Sequence, residues 1–462
     1  MNIFTTGFYI NSPIWMQECM LSLRGLKFRL LRQGKMFRRL VSELEKSQYY
    51  SEQELRSLQN EKFRIIIKHS YENVPYYRRL FKKLNLTPED FKDASDISKL
   101  PLISKSDVKG DPEDFLAKNT NKLFMRTVFT SGSTGSPLKI FRDMHLINFE
   151  NAILARQYRW AGFNPGDKKV IIRSSPIVPA GVKKPPFWRR DVFQNSLCAS
   201  SYHLSKENID SYAREILRYS SDALETVPSQ AYILAKLAFL KGAELNFKHI
   251  FTSSEVLMPE KKVFIEKQFK GRVFDHYGTA ERVSAIGMCE KGTYHVYSDY
   301  SITEFLPVPG RKGQFEIVGS TLNSFAMPLF RYKTGDIVTM PSAKTCSCGR
   351  NFPIIGSIEG RNTDQFFITK DGRMISLFCS IFSTDLKDVI EAQFIQEDLD
   401  KLKVKLVAGD RYDSSDEALI KTNIKNYLGK NVIVDIEKVD SVPRTNGGKF
   451  KQFISKIKEK EF

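Results

Sequence analysis

Between residues 123 and 340, short apolar runs alternate with stretches of helical periodicity, and this alternation constrains the fold more than any other feature of the chain. KKVIIR (168–173), FKHIFTS (247–253), GRVFDHYG (271–278) and GQFEIVGS (313–320) each read as a strand, and the segments between them predict an α/β domain. The pattern changes on either side. Residues 1 to about 95 read mostly as helices, with EQELRSLQNEKFRIIIKHSYENVPYYRRLFKKL the most periodic part and Pro75 a break within it. Beyond GRNTD (360–364), the strand-like KLKVKLVAG, the helical SSDEALIKTNIKNYLGK and the strand-like NVIVDIEKV predict a compact α+β unit. The expected organisation is a helical region over 1–95, a core over 96–360 and a separate small domain over 361–462.

TSGSTGSPLKI (130–140) concentrates glycines and hydroxyl side chains and ends in proline and lysine. Alone, such a run reads as a solvated connector. Its neighbours suggest more, because MRTVFT upstream reads as a strand and HLINFENAILARQYRWAG downstream as a helix. A glycine-rich turn in that position can aim backbone N–H groups at an anion, with Ser131, Ser133, Thr134 and Lys139 as further donors. It is not a Walker A loop, since Gly132 and Gly135 are separated by only two residues.

The formal net charge of +18 favours encounters with anions and acidic surfaces. Arg24 to Arg39 holds seven basic residues and no acidic one; with Leu26, Leu30, Phe37 and Val41 on one helical face it would form a basic amphipathic segment, although Gly25 and Gly34 weaken that helix. The alternatives are an anionic membrane surface, an acidic partner, or a solvated basic helix. No zinc-finger, KH or RRM signature supports nucleic-acid binding. The first 23 residues lack Lys and Arg and do not fit a secretory leader, so a cytoplasmic location is expected, peripheral to the inner face of the membrane if the basic segment binds there. Six cysteines do not suggest a disulfide framework. Cys346 and Cys348, with Cys289 and His295 some 50 residues earlier, could form a tetrahedral zinc set if the two halves meet, or could be small buried residues.

HYGTAER (276–282), RYKTGD (331–336), GRNTD (360–364) and PRTNGGK (443–449) follow the TSGSTGSP loop in order. Together they resemble the signature series of the adenylate-forming superfamily of acyl- and aryl-CoA ligases. YENVPYYRRLF (71–81), LPLISKSDV (100–108), SSEVL (253–257) and GKFKQFISKI (448–457) are similar to its phenylacetate-CoA ligase-like branch, which includes CapK-type members.

The resemblance implies a large multi-subdomain N-terminal domain carrying an adenylate site and a smaller, mobile α+β C-terminal domain. It implies that a carboxylate attacks the α-phosphorus of ATP, and that a thiol or amine, CoA most commonly, then takes the acyl group. It gives Ser131, Gly132, Ser133, Thr134 and Gly135 to the β- and γ-phosphates, Thr134 and Glu281 to Mg²⁺, and Tyr277, Gly278, Ser254 and Glu255 to the adenine slot. Asp336 goes to the ribose hydroxyls, Arg361 to the nucleotide side of the hinge, and Lys449 to the bridge between carboxylate and α-phosphate. Thr363 stands where the family usually has an aspartate, with Asp364 next, so the pivot falls at 363–364. An acidic carrier protein or an amino sugar of a surface polysaccharide is the other acceptor implied. The rival reading is a non-catalytic, membrane-associated scaffold. SSPIVPAGVKKPPFWRRD (174–191) reads either as a substrate-side loop or as packing.

Overall fold

The computed structural model describes residues 4, 6–32, 34–129, 138–164, 166–173, 175–179, 181–310, 312–359, 366–370, 374–376, 389–409, 412–440, 442 and 453–457. The chain opens on α1 (Gly7–Asn11), α2 (Ile14–Arg32), α3 (Lys35–Ser47), α4 (Glu52–Asn73) and α5 (Pro75–Leu84). Ser51 and Glu54 form a reciprocal capping box that starts α4. Pro75 ends that helix and occupies the first turn of the next, where its missing N–H costs nothing. The basic segment is not one helix face. Gly34 caps α3, so Leu26 and Leu30 belong to α2, whereas Phe37 and Val41 are buried with Phe149 and Ile153. Gly25 is required rather than tolerated, because a Cβ there would lie 2.3 Å from the Asp191 carboxylate.

After α6 (Lys105–Gly110) come β1 (Arg126–Phe129), β2 (Lys139–Arg142) and α7 (Met144–Trp160). The expected strand–turn–helix is therefore corrected: β1 and β2 pair antiparallel, and the glycine-rich loop joins two strands instead of opening a helix. The amino end of α7 is occupied by its own cap, Asp143, which accepts from Leu146 N at 2.7 Å and from Ala326 N at 2.9 Å.

The remaining elements are β3 (Lys169–Arg173), β4 (Trp188–Asp191), β5 (Ser196–Ser200), α8 (Ile209–Tyr219), β6 (Ala223–Thr226), α9 (Pro228–Lys241), β7 (His249–Ser253), α10 (Pro259–Phe269), β8 (Arg272–Gly278), β9 (Ala285–Met288), β10 (Tyr294–Val296), β11 (Ser301–Pro307), β12 (Gln314–Thr321), β13 (Tyr332–Thr339) and β14 (Ile354–Ile355). The C-terminal part adds β15 (Phe366–Ile368), β16 (Met374–Ser376), β17 (Val389–Asp398), β18 (Lys401–Ala408), α11 (Ser414–Leu428), β19 (Ile433–Lys438) and β20 (Phe453–Ser455).

Among the described residues the largest sheet has the order β14-β10-β9-β8-β7-β6-β3-β5-β4, with β5, β3, β6, β7 and β8 mutually parallel. Helices α8 to α10 cover it through a cluster that includes Val170, Ile172, Leu224, Ile250, Val273 and Ile265, which is why these strands read as unbroken apolar runs. The three-stranded sheet β11-β12-β13 and the four-stranded sheet β19-β18-β17-β20 stand apart from it. Within the stretch over 174–191, Phe187 is buried and Arg189 donates through Nε to Gln17 at 2.7 Å.

Candidate active site

Parallel strands place their carboxyl ends along one edge, the usual location of a ligand crevice in α/β folds. Ser253 of β7 is in register with His276 of β8, so Ser254 and Glu255 emerge beside Tyr277 and Gly278. Ser254 takes a left-handed backbone conformation (φ 73°), unusual for a non-glycine residue. Glu255 accepts from the backbone N–H of Ser229 at 3.0 Å in the first turn of α9, where a carboxylate is favoured by the helix dipole. At the end of β3, Arg173 donates to Ser253 Oγ at 3.1 Å and pairs with Glu225 at 3.3 Å. Sequence reasoning missed this arginine; its one signal is a basic residue closing a buried strand.

HYGTAER and RYKTGD meet through two hydrogen bonds. Tyr277 Oη donates to Asp336 Oδ2 at 2.8 Å, and Tyr332 Oη donates to Glu281 Oε1 at 2.8 Å. Gly278 leaves room beside the His276 ring, 3.3 Å from where a Cβ would stand. Below this loop a polar network fixes the backbone. Arg142 donates to the Ala280 carbonyl at 2.6 Å, Arg282 pairs with Glu150, and Tyr300 donates to the same carboxylate. Burial, then the neighbouring Arg282, lowers Arg142 to about 10. Arg282 is itself left-handed (φ 60°), a conformation uncommon for a non-glycine residue. Arg142 and Glu150 lie in stretches legible only as secondary structure, and nothing local in them marks a role.

Beneath the same strand end, burial pushes His276 down to about 3, with Arg282, Arg173 and Arg156 acting in the same direction. Burial raises Asp275 to about 6, against hydrogen bonds from Thr252 at 2.6 Å and Tyr294 at 2.7 Å. Lys139 lies on β2, paired with Glu113 at 2.5 Å and stacked over the Phe141 ring. Ser131, Gly132, Ser133, Thr134, Gly135, Arg361, Thr363, Asp364 and Lys449 lie outside the described residues.

The two halves of the cysteine and histidine set do converge. Cys289 follows β9, His295 lies on the paired β10, and Cys346 and Cys348 come from the segment after β13; their ligand atoms all lie within 4.8 Å of one another. Cys289 and Cys346 sulfurs are 3.8 Å apart, and Cys348 Sγ is 3.3 Å from His295 Nε2. A tetrahedral ion at about 2.3 Å from sulfur and about 2.0 Å from nitrogen requires separations of roughly 3.8 and 3.5 Å, so three thiols and an imidazole here fit zinc. Burial lowers His295 to about 4, which keeps it in the neutral, metal-ligating form. Arg350 pairs with Glu290 and stacks over Trp160 at 4.2 Å, bracing the segment that carries Cys348.

Comparison with known proteins extends the picture. Residues 367–456 match the CapK C-terminal domain family. The chain is 28% identical to protein CapK of Staphylococcus aureus over 454 residues, covering 97% of this chain and 99% of that protein. It is 24% identical to the phenylacetate-coenzyme A ligase of Escherichia coli (strain K12) over 425 residues, covering 85% and 93% of the two. A crystal structure of 2-hydroxyisobutyryl-CoA ligase in complex with 2-HIB-AMP and CoA shares the fold, with 18% identity, a TM-score of 0.54, and 88% of this chain and 91% of that one covered. These similarities run nearly end to end, and they match an adenylate-forming, phenylacetate-CoA ligase-like CapK branch.

Proposed function

We propose that this protein condenses a carboxylic acid with ATP to an acyl-adenylate, releasing pyrophosphate, and then transfers the acyl group to CoA, releasing AMP. In the first step a carboxylate oxygen bonds to the α-phosphorus and the bond to the β-phosphate oxygen breaks. In the second, a thiol sulfur bonds to the acyl carbon, the acyl–phosphate bond breaks, and the thiol proton passes to solvent. The observation that carries this reading is the pair of bonds Tyr277–Asp336 and Tyr332–Glu281, which gathers the nucleotide-facing candidates at the carboxyl ends of parallel strands.

In this proposal Tyr277, Gly278, Ser254 and Glu255 border the adenine, and Asp336 accepts from the ribose hydroxyls, a carboxylate having acceptor capacity for both. Residues 131–135, with Lys139, receive the β- and γ-phosphates, and Arg361 meets the nucleotide from the hinge. Glu281 and Thr134 are a hard-oxygen pair suited to magnesium, which would offset triphosphate charge. Lys449 bridges carboxylate and α-phosphate, and region 361–462 turns about 363–364 relative to 96–360 between the two steps. A zinc ion held by Cys289, His295, Cys346 and Cys348 is structural, since four protein ligands leave no open position. ATP and CoA as reactants accord with a cytoplasmic reaction. The similarity to CapK supports a role in surface polysaccharide assembly, where a carrier protein or amino sugar would receive the acyl group from the thioester.

Screening carboxylic acids for acid-dependent exchange of pyrophosphate into ATP tests the reading. One class of acid should support exchange and yield AMP and pyrophosphate in equal amounts. Stoichiometric ADP and phosphate, or no exchange with any acid by folded protein, would overturn it.

A further inference from the structure

Helix α2 is fastened to the body of the protein along one side. Arg189 Nε donates to Gln17, Arg190 N donates to Glu18 at 2.9 Å, Val192 N donates to Ser22 at 3.1 Å, and Gly25 lies against Asp191. These contacts fix the rotation of the helix, and therefore which residues face away.

The outward side is apolar. Trp15, Leu23 and Leu30 are 67%, 56% and 69% exposed, Cys19 is exposed and Leu26 is half-buried. At about 100° per residue these five positions fall within an arc of roughly 80°, a stripe about 22 Å long. Exposed Lys27 and Arg29 flank it, about 40° beyond either edge. Phe8, 70% exposed, and Ile14, 41% exposed, extend the apolar surface towards the start of the chain. The turn that carries Phe8 is anchored by Tyr9, whose Oη donates to the Ile177 carbonyl at 2.7 Å. Leu123 and Phe124, 89% and 66% exposed, belong to the segment leading to Arg126, which lies over the Phe28 ring of α2 at 5.9 Å.

We propose that this face of α2 is an interfacial surface that lies on an anionic lipid bilayer. A water-exposed row of Trp and Leu is costly unless something covers it, and a row flanked by cations is matched to the boundary between acyl chains and anionic headgroups. The charge agrees, because Arg24, Lys27, Arg29 and Arg32 follow one another along the second half of α2 with no anion among residues 24–32. No helix among the described residues is long and apolar enough to cross a membrane, so α2 lies in the plane of the surface and does not span it. This inference rests on α2 and is independent of the proposed chemistry.

The test is co-sedimentation of the full chain with vesicles of phosphatidylglycerol and phosphatidylcholine, alongside phosphatidylcholine alone. The anionic vesicles should bind it about tenfold or more tightly, high salt should weaken that binding, and Trp15 emission should shift to the blue. The triple variant Trp15→Ser, Leu23→Ser, Leu30→Ser should lose about tenfold or more in vesicle binding while keeping the thermal transition of the parent. Lys27→Gln with Arg29→Gln should remove the preference for anionic lipid and the salt dependence. Equal binding to both vesicles, full binding by the triple variant, or self-association through the stripe without vesicle binding would overturn the proposal; the last would assign the face to a second copy.

Discussion

Tyr277 Oη donates to Asp336 Oδ2 across 2.8 Å, joining the end of β8 in the nine-stranded sheet to β13 in the three-stranded one. The residue proposed for the adenine slot thus orients the carboxylate proposed for the ribose. Tyr277→Phe should raise the KM for ATP about tenfold, a hydrogen bond to a charged group contributing roughly 1.5–3 kcal/mol, while kcat changes little. Asp336→Asn should cost more. Pyrophosphate exchange measured across ATP concentrations decides it; a Tyr277→Phe variant with unaltered KM would reduce the bond to packing.

Lys449→Ala should separate the half-reactions. Removing a donor that stabilises developing charge costs on the order of a hundred- to a thousandfold in rate. Adenylate formation should fall by that amount, and acyl transfer from supplied acyl-adenylate should survive. Equal loss of both in a folded variant would end the assigned role.

Metal analysis of purified protein should give about one zinc per chain, with Cys348→Ser losing it together with thermal stability. A chelator should lower the transition temperature of the parent and leave that variant unaffected. A stable parent free of zinc would refute the site.

Two neighbouring groups pull acid stability in opposite directions. His276, held near 3 by burial and not at the ordinary 6.5, is neutral in the fold while the unfolded chain is protonated, so stability falls as pH drops through that window. Asp275, raised by burial from 3.8 to about 6, retains a proton that the unfolded chain has lost, so stability rises as pH drops from about 6 to about 4. Asp275→Asn should therefore steepen the acid limb and His276→Gln should flatten it. Melting temperatures against pH, compared with the parent, check both signs; parallel curves for all three proteins would show that neither shift is real.

The sheet strands were legible because strands buried on both faces are apolar throughout, as in Val170–Ile172 and Ile250–Phe251. The order of HYGTAER and RYKTGD was legible too, but not that Tyr332 inside the second would bond Glu281 inside the first. β2 escaped notice because four residues, KIFR, carry too little periodicity beside a glycine-rich loop. Gly25 looked like a defect because the carboxylate that excludes a side chain there comes from residue 191. Cys346-Ser-Cys348 could be matched to Cys289 and His295 as chemistry, yet their convergence depends on the β9–β10 hairpin and was invisible in spacing.

Asp299 has a further consequence, in the order in which the chain acquires structure. Its buried carboxylate accepts from Ser47 Oγ at 2.6 Å and Arg156 Nη1 at 2.5 Å, while Lys62 donates to its carbonyl at 2.9 Å. Ser47 and Asp299 are 252 positions apart, so a ribosome adding about 5–20 residues per second makes the helix ends wait roughly 12–50 seconds for their partner. Phe63, Ile66 and Ile67 share a cluster with Ile302, Leu322 and Leu329, and part of their cover arrives equally late. The nascent amino-terminal segment is therefore where a holding chaperone would act, and slowing translation beyond it should lengthen that exposure.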